Sequence, residues 1–260
     1  MIGSEPSDRS NLSAPVQNHQ SVIAIDGPAA SGKSTVAGEL AERLSALLFD
    51  TGTLYRTVTL AALRARVPVT DGPALAMLAD ERHIEVTPPS EPDGRLYDVR
   101  LDGEDVTWGI RDVAVDANVS EVSAHPEVRR ALLGTQRRIA GLGPVVMVGR
   151  DIGTEVIPDA GVKVFLDASL IERARRRAAE MQERGLPVDL AAVAADLKRR
   201  DAIDSGRLAS PLRIARDAHV IQTEGLSADQ VVTRIEAIVR HAFSASLSAA
   251  SCGNGFPVSD

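Results

Sequence analysis

The chain is poor in aromatics, cysteine and histidine. One Trp, two Tyr and four Phe amount to 3% of the residues, too few for a platform of rings on which single-stranded nucleic acid stacks. Cys252 is the one cysteine; it excludes an internal disulfide and, among small residues, reads as inert. The five histidines are scattered without metal-ligand spacing. No apolar run reaches the length of a membrane span. Residues 1–20 are polar and lack the apolar segment of a signal peptide, so a reducing, cytoplasmic setting is expected. A formal net charge of −7 disfavours a general binder of nucleic-acid polymers. Local arginine clusters remain able to hold a small phosphate ligand.

What is present is a core-forming α/β pattern. Hydrophobic residues make up 44% of 260, enough for a sizeable core in one domain with inserted lobes. The informative stretch is Gly27-Pro28-Ala29-Ala30-Ser31-Gly32-Lys33-Ser34, which fits G-x-x-x-x-G-K-S, the phosphate-binding P-loop pattern. Its glycines allow a tight turn around an anion. Successive N–H groups and the positive end of the following helix then face phosphate oxygens. Lys33 supplies a point charge to the terminal phosphates, and the Ser34 hydroxyl is a Mg²⁺ ligand. The context agrees. Ser21–Asp26 is a short apolar strand, and Thr35–Leu44 carries apolar residues at 36, 37, 40, 41 and 44 on one helical face.

Strand patterns recur at 47–49, 145–148, 162–166 and 219–221, alternating with helical ones. The expected fold class is therefore α/β with a doubly wound parallel sheet. Between them the texture changes. Segments 83–87 and 96–101 alternate with period two, and Asp102-Gly103 is a hairpin signal before Val106. This predicts a small antiparallel insert. Helices are expected at 74–78, 113–122, 126–139, 169–184, 189–203 and 228–239. Residues 1–20 are expected to form a loose arm and 244–260 a disordered tail.

Several arginines fall where α/β proteins place ligands, beyond the carboxyl ends of strands. Arg150-Asp151 follows the strand at 145–148, and Arg56 follows the strand ending at Phe49. Arg173, Arg175, Arg176, Arg177 and Arg184 fit either a solvated helix paired with Glu172, Glu180 and Glu183 or a flap closing over triphosphate. Arg200, Asp204 and Arg207 are spaced i, i+4, i+7 and fit either an exposed ion-pair ladder or a shared site face. Phosphoryl transfer suits this inventory: it needs positioning and cationic compensation of spreading charge, not a nucleophilic side chain.

Taken with Asp50-Thr51-Gly52, Tyr55-Arg56, Gly103-Glu104-Asp105-Val106, Ile110-Arg111, Pro126-x-Val128-Arg129, Gly149-Arg150-Asp151-Ile152-Gly153-Thr154, Pro158-Asp159-Ala160, Arg200-Asp201 and Ser210-Pro211-Leu212, the P-loop makes residues 21–243 resemble the bacterial cytidylate kinases. The resemblance implies a nucleoside monophosphate (NMP) kinase core over 21–243. An enlarged NMP-binding lobe would span about 51–123 and a helical lid about 171–188. It implies ATP as donor, CMP or dCMP as acceptor, Mg²⁺ as cofactor and a monomer. By position, Gly27, Pro28, Ala29, Ala30, Ser31, Gly32, Lys33, Ser34 and Thr35 would hold the ATP phosphates, with Arg176 near the adenine and the lid. Ser120, Arg129 and Asp151 would read cytosine, and Arg200 and Asp204 the ribose. Arg56, Arg150 and Arg207 would clamp the acceptor phosphate, with Thr51 and Tyr55 lining that pocket. Lys33, Arg56, Arg150 and Arg207 would be the catalytic set.

The reading is chemically coherent. Cytosine presents an N4 donor and O2 and N3 acceptors, which suit a carboxylate and an arginine; uracil would turn a carbonyl toward Asp151. Two positions depart from the family pattern. Val148 stands where an acidic residue usually precedes Gly-Arg-Asp, leaving Asp26 as a candidate carboxylate for Mg²⁺. Gln222 stands where an acidic residue is common. A kinase for another acceptor, such as AMP or UMP, is the nearest alternative reading. A nucleotide-binding regulatory protein with weakened catalysis is a second.

Overall fold

The computed structural model describes residues 19–252. The chain enters through a 3-10 turn, His19–Ser21, then β1 (Val22–Asp26), α1 (Lys33–Leu44), β2 (Leu47–Asp50) and α2 (Gly52–Ala65). Next come α3 (Gly72–Glu81), β3 (Ile84–Thr87), β4 (Asp98–Leu101), β5 (Glu104–Asp105), α4 (Val113–Val122) and α5 (Pro126–Ala140). The chain returns to the main sheet with β6 (Val145–Gly149) and β7 (Val162–Asp167). It ends with α6 (Leu170–Glu183), α7 (Leu190–Gly206), β8 (His219–Gln222) and α8 (Ala228–Cys252).

The main sheet is parallel, in the order β2-β6-β1-β7-β8. Buried on both faces, β1, β6 and β7 have near-continuous apolar runs rather than alternation. Val22, Ala24, Val145 and Met147 pack toward α2–α5. Ile23, Ile25, Val146 and Val148 pack toward α1 and α8. β1 is central, so its carboxyl end opens between β6 and β7, where ligand crevices form in such sheets. The expected antiparallel insert is β3-β4-β5. Asp102 and Gly103 turn between β4 and β5 with φ of 52° and 85°, both left-handed as a two-residue hairpin demands. Val99, Leu101 and Val106 seal the insert onto Leu60 and Ala61 of α2.

Some boundaries move from their expected places. His19 and Gln20 are not part of the loose arm expected over 1–20: the His19 ring lies 3.1 Å from the Asp159 carboxylate and Gly161 N–H donates to His19 O. Gly161 admits no side chain there: a Cβ would lie 1.9 Å from Gln20 O. Gly72-Pro73 forms the first turn of α3 rather than a break, capped by the Asp71 carboxylate. α8 continues past 239 to Cys252, which corrects the disordered tail over 244–252; Ala, the best helix former, recurs in that stretch. The loose arm expected over 1–18 and the disordered tail expected over 253–260 lie outside the described residues.

One irregular turn was not foreseen. Ile152–Val156 forms a π-type turn after β6. Asp26, at the end of β1, accepts hydrogen bonds from Ile152 N (2.9 Å) and Gly153 N (2.8 Å) and pins that turn. Burial pushes the Asp26 carboxyl up to about 6, against the pull of those two donors. The folded chain thus holds this proton more tightly than the unfolded chain. Its contribution to stability is full below about pH 4 and declines as pH rises to about 6. Asp26→Asn removes this term. The wild-type Tm, measured relative to the variant, is expected to fall between pH 4 and 6; a pH-independent difference would contradict the assignment.

Candidate active site

The P-loop geometry follows from its glycines. Gly27 has φ 151°, and a Cβ on it would lie 2.1 Å from Leu166 O on β7. Gly32, at φ 90°, is the residue before α1, so the loop feeds directly into a helix N-terminus. Lys33 is buried and donates to Pro28 O (2.5 Å) and Ser31 Oγ (3.3 Å). Burial, then the nearby Arg150, holds its ammonium well below the usual lysine range.

Beside the loop lies a cavity of about 990 Å³. Of the residues singled out in the sequence, it brings together Ala29, Ala30, Gly32, Lys33, Ser34, Thr35, Thr51, Tyr55, Arg56, Ser120, Arg129, Arg150, Asp151, Arg200, Asp204 and Arg207. Gly27, Pro28, Ser31 and Arg176 do not line it. Arg176 stands on the far side of the P-loop, donating to Thr223 O (2.7 Å), Thr223 Oγ1 (2.9 Å) and Glu172 (2.9 Å), with Ser31 O at 3.5 Å.

The floor is a network of arginines and carboxylates. Arg129 donates to Asp151 and to Ser123 O (3.1 Å), and its guanidinium lies 5.1 Å from the Tyr55 ring. Tyr55 Oη accepts from Gln136 at 3.2 Å. Arg207 lies 3.6 Å from Asp151 and 3.7 Å from Asp204. Arg150 Nε donates to Asp204 at 2.9 Å. Burial would raise the Asp204 carboxyl, but Arg150, Arg207 and Arg200 hold it below the usual carboxylate range. Burial, Arg150 and Arg56 push Arg200 down to about 10. The Nε atoms of Arg129 and Arg200 and one Nη of Arg207 are buried with no hydrogen-bond acceptor in the protein. Such donors are costly to leave unpaired; Arg129, Arg200 and Arg207 are all cavity-lining residues.

The ladder reading of 200–207 is corrected. α7 ends at Gly206, so Arg207 is its extended cap, and both Asp204 and Arg207 are buried. The 173–184 arginines diverge. Arg173 is buried against Asp201 (2.7 Å) and fastens α6 to α7. Arg177 reaches Glu180 (2.8 Å) and also Asp116 (2.5 Å) of α4. Arg184 donates to Arg111 O at 3.1 Å. The Glu172 and Glu180 pairs of the solvated-helix reading are present, and Arg177 and Arg184 of the same segment line the cavity.

The metal candidate shifts. Asp26 does not line the cavity, and its two oxygens serve Ile152 and Gly153. Asp50 does line it, and accepts from Ser34 Oγ at 2.9 Å. Asp50 pairs in register with Val148 on the adjacent strand, so it offers a carboxylate one strand over from the position where the acid is missing. A hydroxyl and a carboxylate are the hard oxygen donors Mg²⁺ prefers. The position of Asp50, at the carboxyl end of a strand beside the P-loop strand, was the available signal for it. Gln222 donates to Asp167 at 3.3 Å at the end of β7.

A P-loop, a deep arginine-lined acceptor cavity and a helical lid define a phosphotransferase of the nucleoside monophosphate kinase type. The cytidylate kinase family model matches residues 23–241. A cytidylate kinase of Herpetosiphon aurantiacus is 48% identical over 84% of this chain and 93% of that protein. One from Geobacillus kaustophilus is 50% identical over 84% and 95%. A shikimate kinase structure from Acinetobacter baumannii aligns at TM-score 0.44 and 14% identity, over 85% of this chain and 93% of that one. The chain belongs to the cytidylate kinase family. Among the described residues, no helix is long and apolar enough to cross a membrane.

An anion that binds the arginines lining the cavity should stabilise the fold by mass action. At ten times its Kd, inorganic phosphate adds about 1.4 kcal/mol, which is roughly 3–6 °C in Tm for a chain of this size. Arg207→Met is expected to abolish most of that shift; an equal shift in wild type and variant would show that phosphate does not use this cavity.

Proposed function

We infer that the protein transfers the γ-phosphoryl group of ATP to CMP or dCMP, giving ADP and CDP or dCDP. The observation that carries this reading is the set of arginines, Arg56, Arg129, Arg150, Arg200 and Arg207, that line one cavity beside the P-loop together with Asp151 and Asp204. Membership of the cytidylate kinase family supports it directly.

In this reading each chemical need has a residue. The P-loop amides and Lys33 hold the donor phosphates and offset negative charge as it spreads in the transition state. Arg176, between the P-loop and Thr223, lies on the donor side. Arg56, Arg150 and Arg207 clamp the acceptor phosphate, so that its oxygen lies in line with the γ-phosphorus. No side chain needs to form a covalent bond. Thr51, whose hydroxyl donates to Val148 O at 2.9 Å, fixes the wall between the two phosphate sites. Deeper in, Asp151 accepts from cytosine N4 while Arg129 donates to O2 and N3. Ser120 completes that base pocket, and Arg200 and Asp204 meet the ribose. The lid excludes water, which would compete with the acceptor.

Ser34 and Asp50 would hold Mg²⁺, which would offset negative charge on the donor phosphates. A carboxylate beside Ser34 speaks against a regulatory protein with weakened catalysis, a reading that rested on Val148.

The test is a coupled assay with ATP and CMP, with UMP and AMP as controls. CMP should be preferred, and Asp151→Ala should lower the CMP-to-UMP ratio of kcat/KM by about tenfold or more. A ratio unchanged by the substitution would remove Asp151 as the base reader. For the metal, Mn²⁺ binding followed by electron paramagnetic resonance in the presence of ADP should weaken about tenfold in Asp50→Asn. It should be unaffected in Asp26→Asn; the reverse pattern would restore Asp26.

A further inference from the structure

Asp116 lies on α4 of the NMP-binding lobe and no role was read for it in the sequence. Its two carboxylate oxygens are divided between α2 and α6. Oδ1 accepts from Arg56 of α2 at 2.6 Å. Oδ2 accepts from Arg177 of the lid helix α6 at 2.5 Å. Arg56 is held a second time, by Ile110 O at 3.0 Å. Burial would raise the Asp116 carboxyl, but Arg56, Arg177 and the nearby Arg200 hold it below the usual carboxylate range. The side chain is 18% exposed and lines the cavity wall.

We propose that Asp116 is a positioning residue that yokes the lid to the acceptor-phosphate clamp, through one carboxylate shared by Arg177 and Arg56. Three like charges face one another here, and the single carboxylate is what lets Arg56 and Arg177 approach the same point. Remove it, and their mutual repulsion drives the lid helix from the lobe, leaving Arg56 anchored only by Ile110 O. The contact from Arg184 to Arg111 O, 3.1 Å, spans the same gap and would be strained with it. Asp116 touches neither reacting phosphate in this scheme. It acts through Arg56, on acceptor binding, and through Arg177, on closure.

The inference rests on the proposed function where it assigns Arg56 to the acceptor phosphate, but its first test does not. Spin labels at Thr87→Cys on β3 and Gln182→Cys on α6, in a Cys252→Ser background, report the lobe-to-lid distance in the ligand-free protein. Asp116→Ala is expected to lengthen and broaden that distribution, and Asp116→Glu to restore it. An unchanged distribution in Asp116→Ala overturns the yoke whatever the substrate proves to be. The second test is kinetic. Asp116→Ala should raise KM for CMP about tenfold, equivalent to ~1.4 kcal/mol, with kcat changed less than about threefold. Arg177→Ala should add little to that effect in the double variant, because the two share one interaction. Additive effects, or a lowered KM, would mean that Asp116 merely competes with phosphate for Arg56, and would overturn the proposal.

Discussion

The structure depends on an imbalance of charge held at the carboxyl ends of a parallel sheet. Arginines from α5, the cap of α7 and the β6 end crowd onto Asp151 and Asp204. These carboxylates occupy some guanidinium donors and leave others buried without acceptors. Desolvation makes that arrangement costly in the ligand-free chain, as the lowered proton affinity of Lys33, Arg200 and Arg207 indicates. The arginines that line the cavity are held in place before any ligand arrives, as electrostatic preorganisation requires.

The carboxylates in this network do more than balance charge. Asp26 receives two backbone N–H groups and shapes the turn that follows Arg150-Asp151. Asp151 orients Arg129, Asp204 orients Arg150, and Asp116 joins Arg56 to the lid. Each arginine that can meet phosphate thus has a carboxylate behind it. That suits a residue whose value lies in the planar direction of its donors and not in charge alone. The apolar layers serve the same end. Two cores on either face of the sheet make its edge a rigid rim, and Val193 and Leu197 pack with Ala29 to seat the lid helices against the P-loop.

Val148 and Asp50 illustrate how strand order decides which side chain meets the P-loop. Val148 packs in the core between α1 and α8. Asp50, its register partner, reaches Ser34 from the next strand. Sequence spacing drew attention to Asp26 because it directly precedes the P-loop. Adjacency in a parallel sheet follows strand order, however, and the strand order was not readable from one chain.

Local chemistry was legible in the sequence by itself. The P-loop, the strand runs and the Asp102-Gly103 turn follow from short-range rules of backbone freedom and hydrophobic period, and they stand where those rules put them. The arginines after strand ends were legible as candidates for the same reason. Tertiary structure alone decided which of these charges share a carboxylate. It turned Arg200–Arg207 from a possible surface ladder into a buried corner, divided the lid arginines among the P-loop, α7 and the NMP lobe, and exchanged Asp26 for Asp50 beside Ser34. The physical reason is one of range. Backbone conformation is set by neighbours in the chain, whereas the partner of a buried charge is set by whichever segments the sheet order and helix packing bring within hydrogen-bond reach.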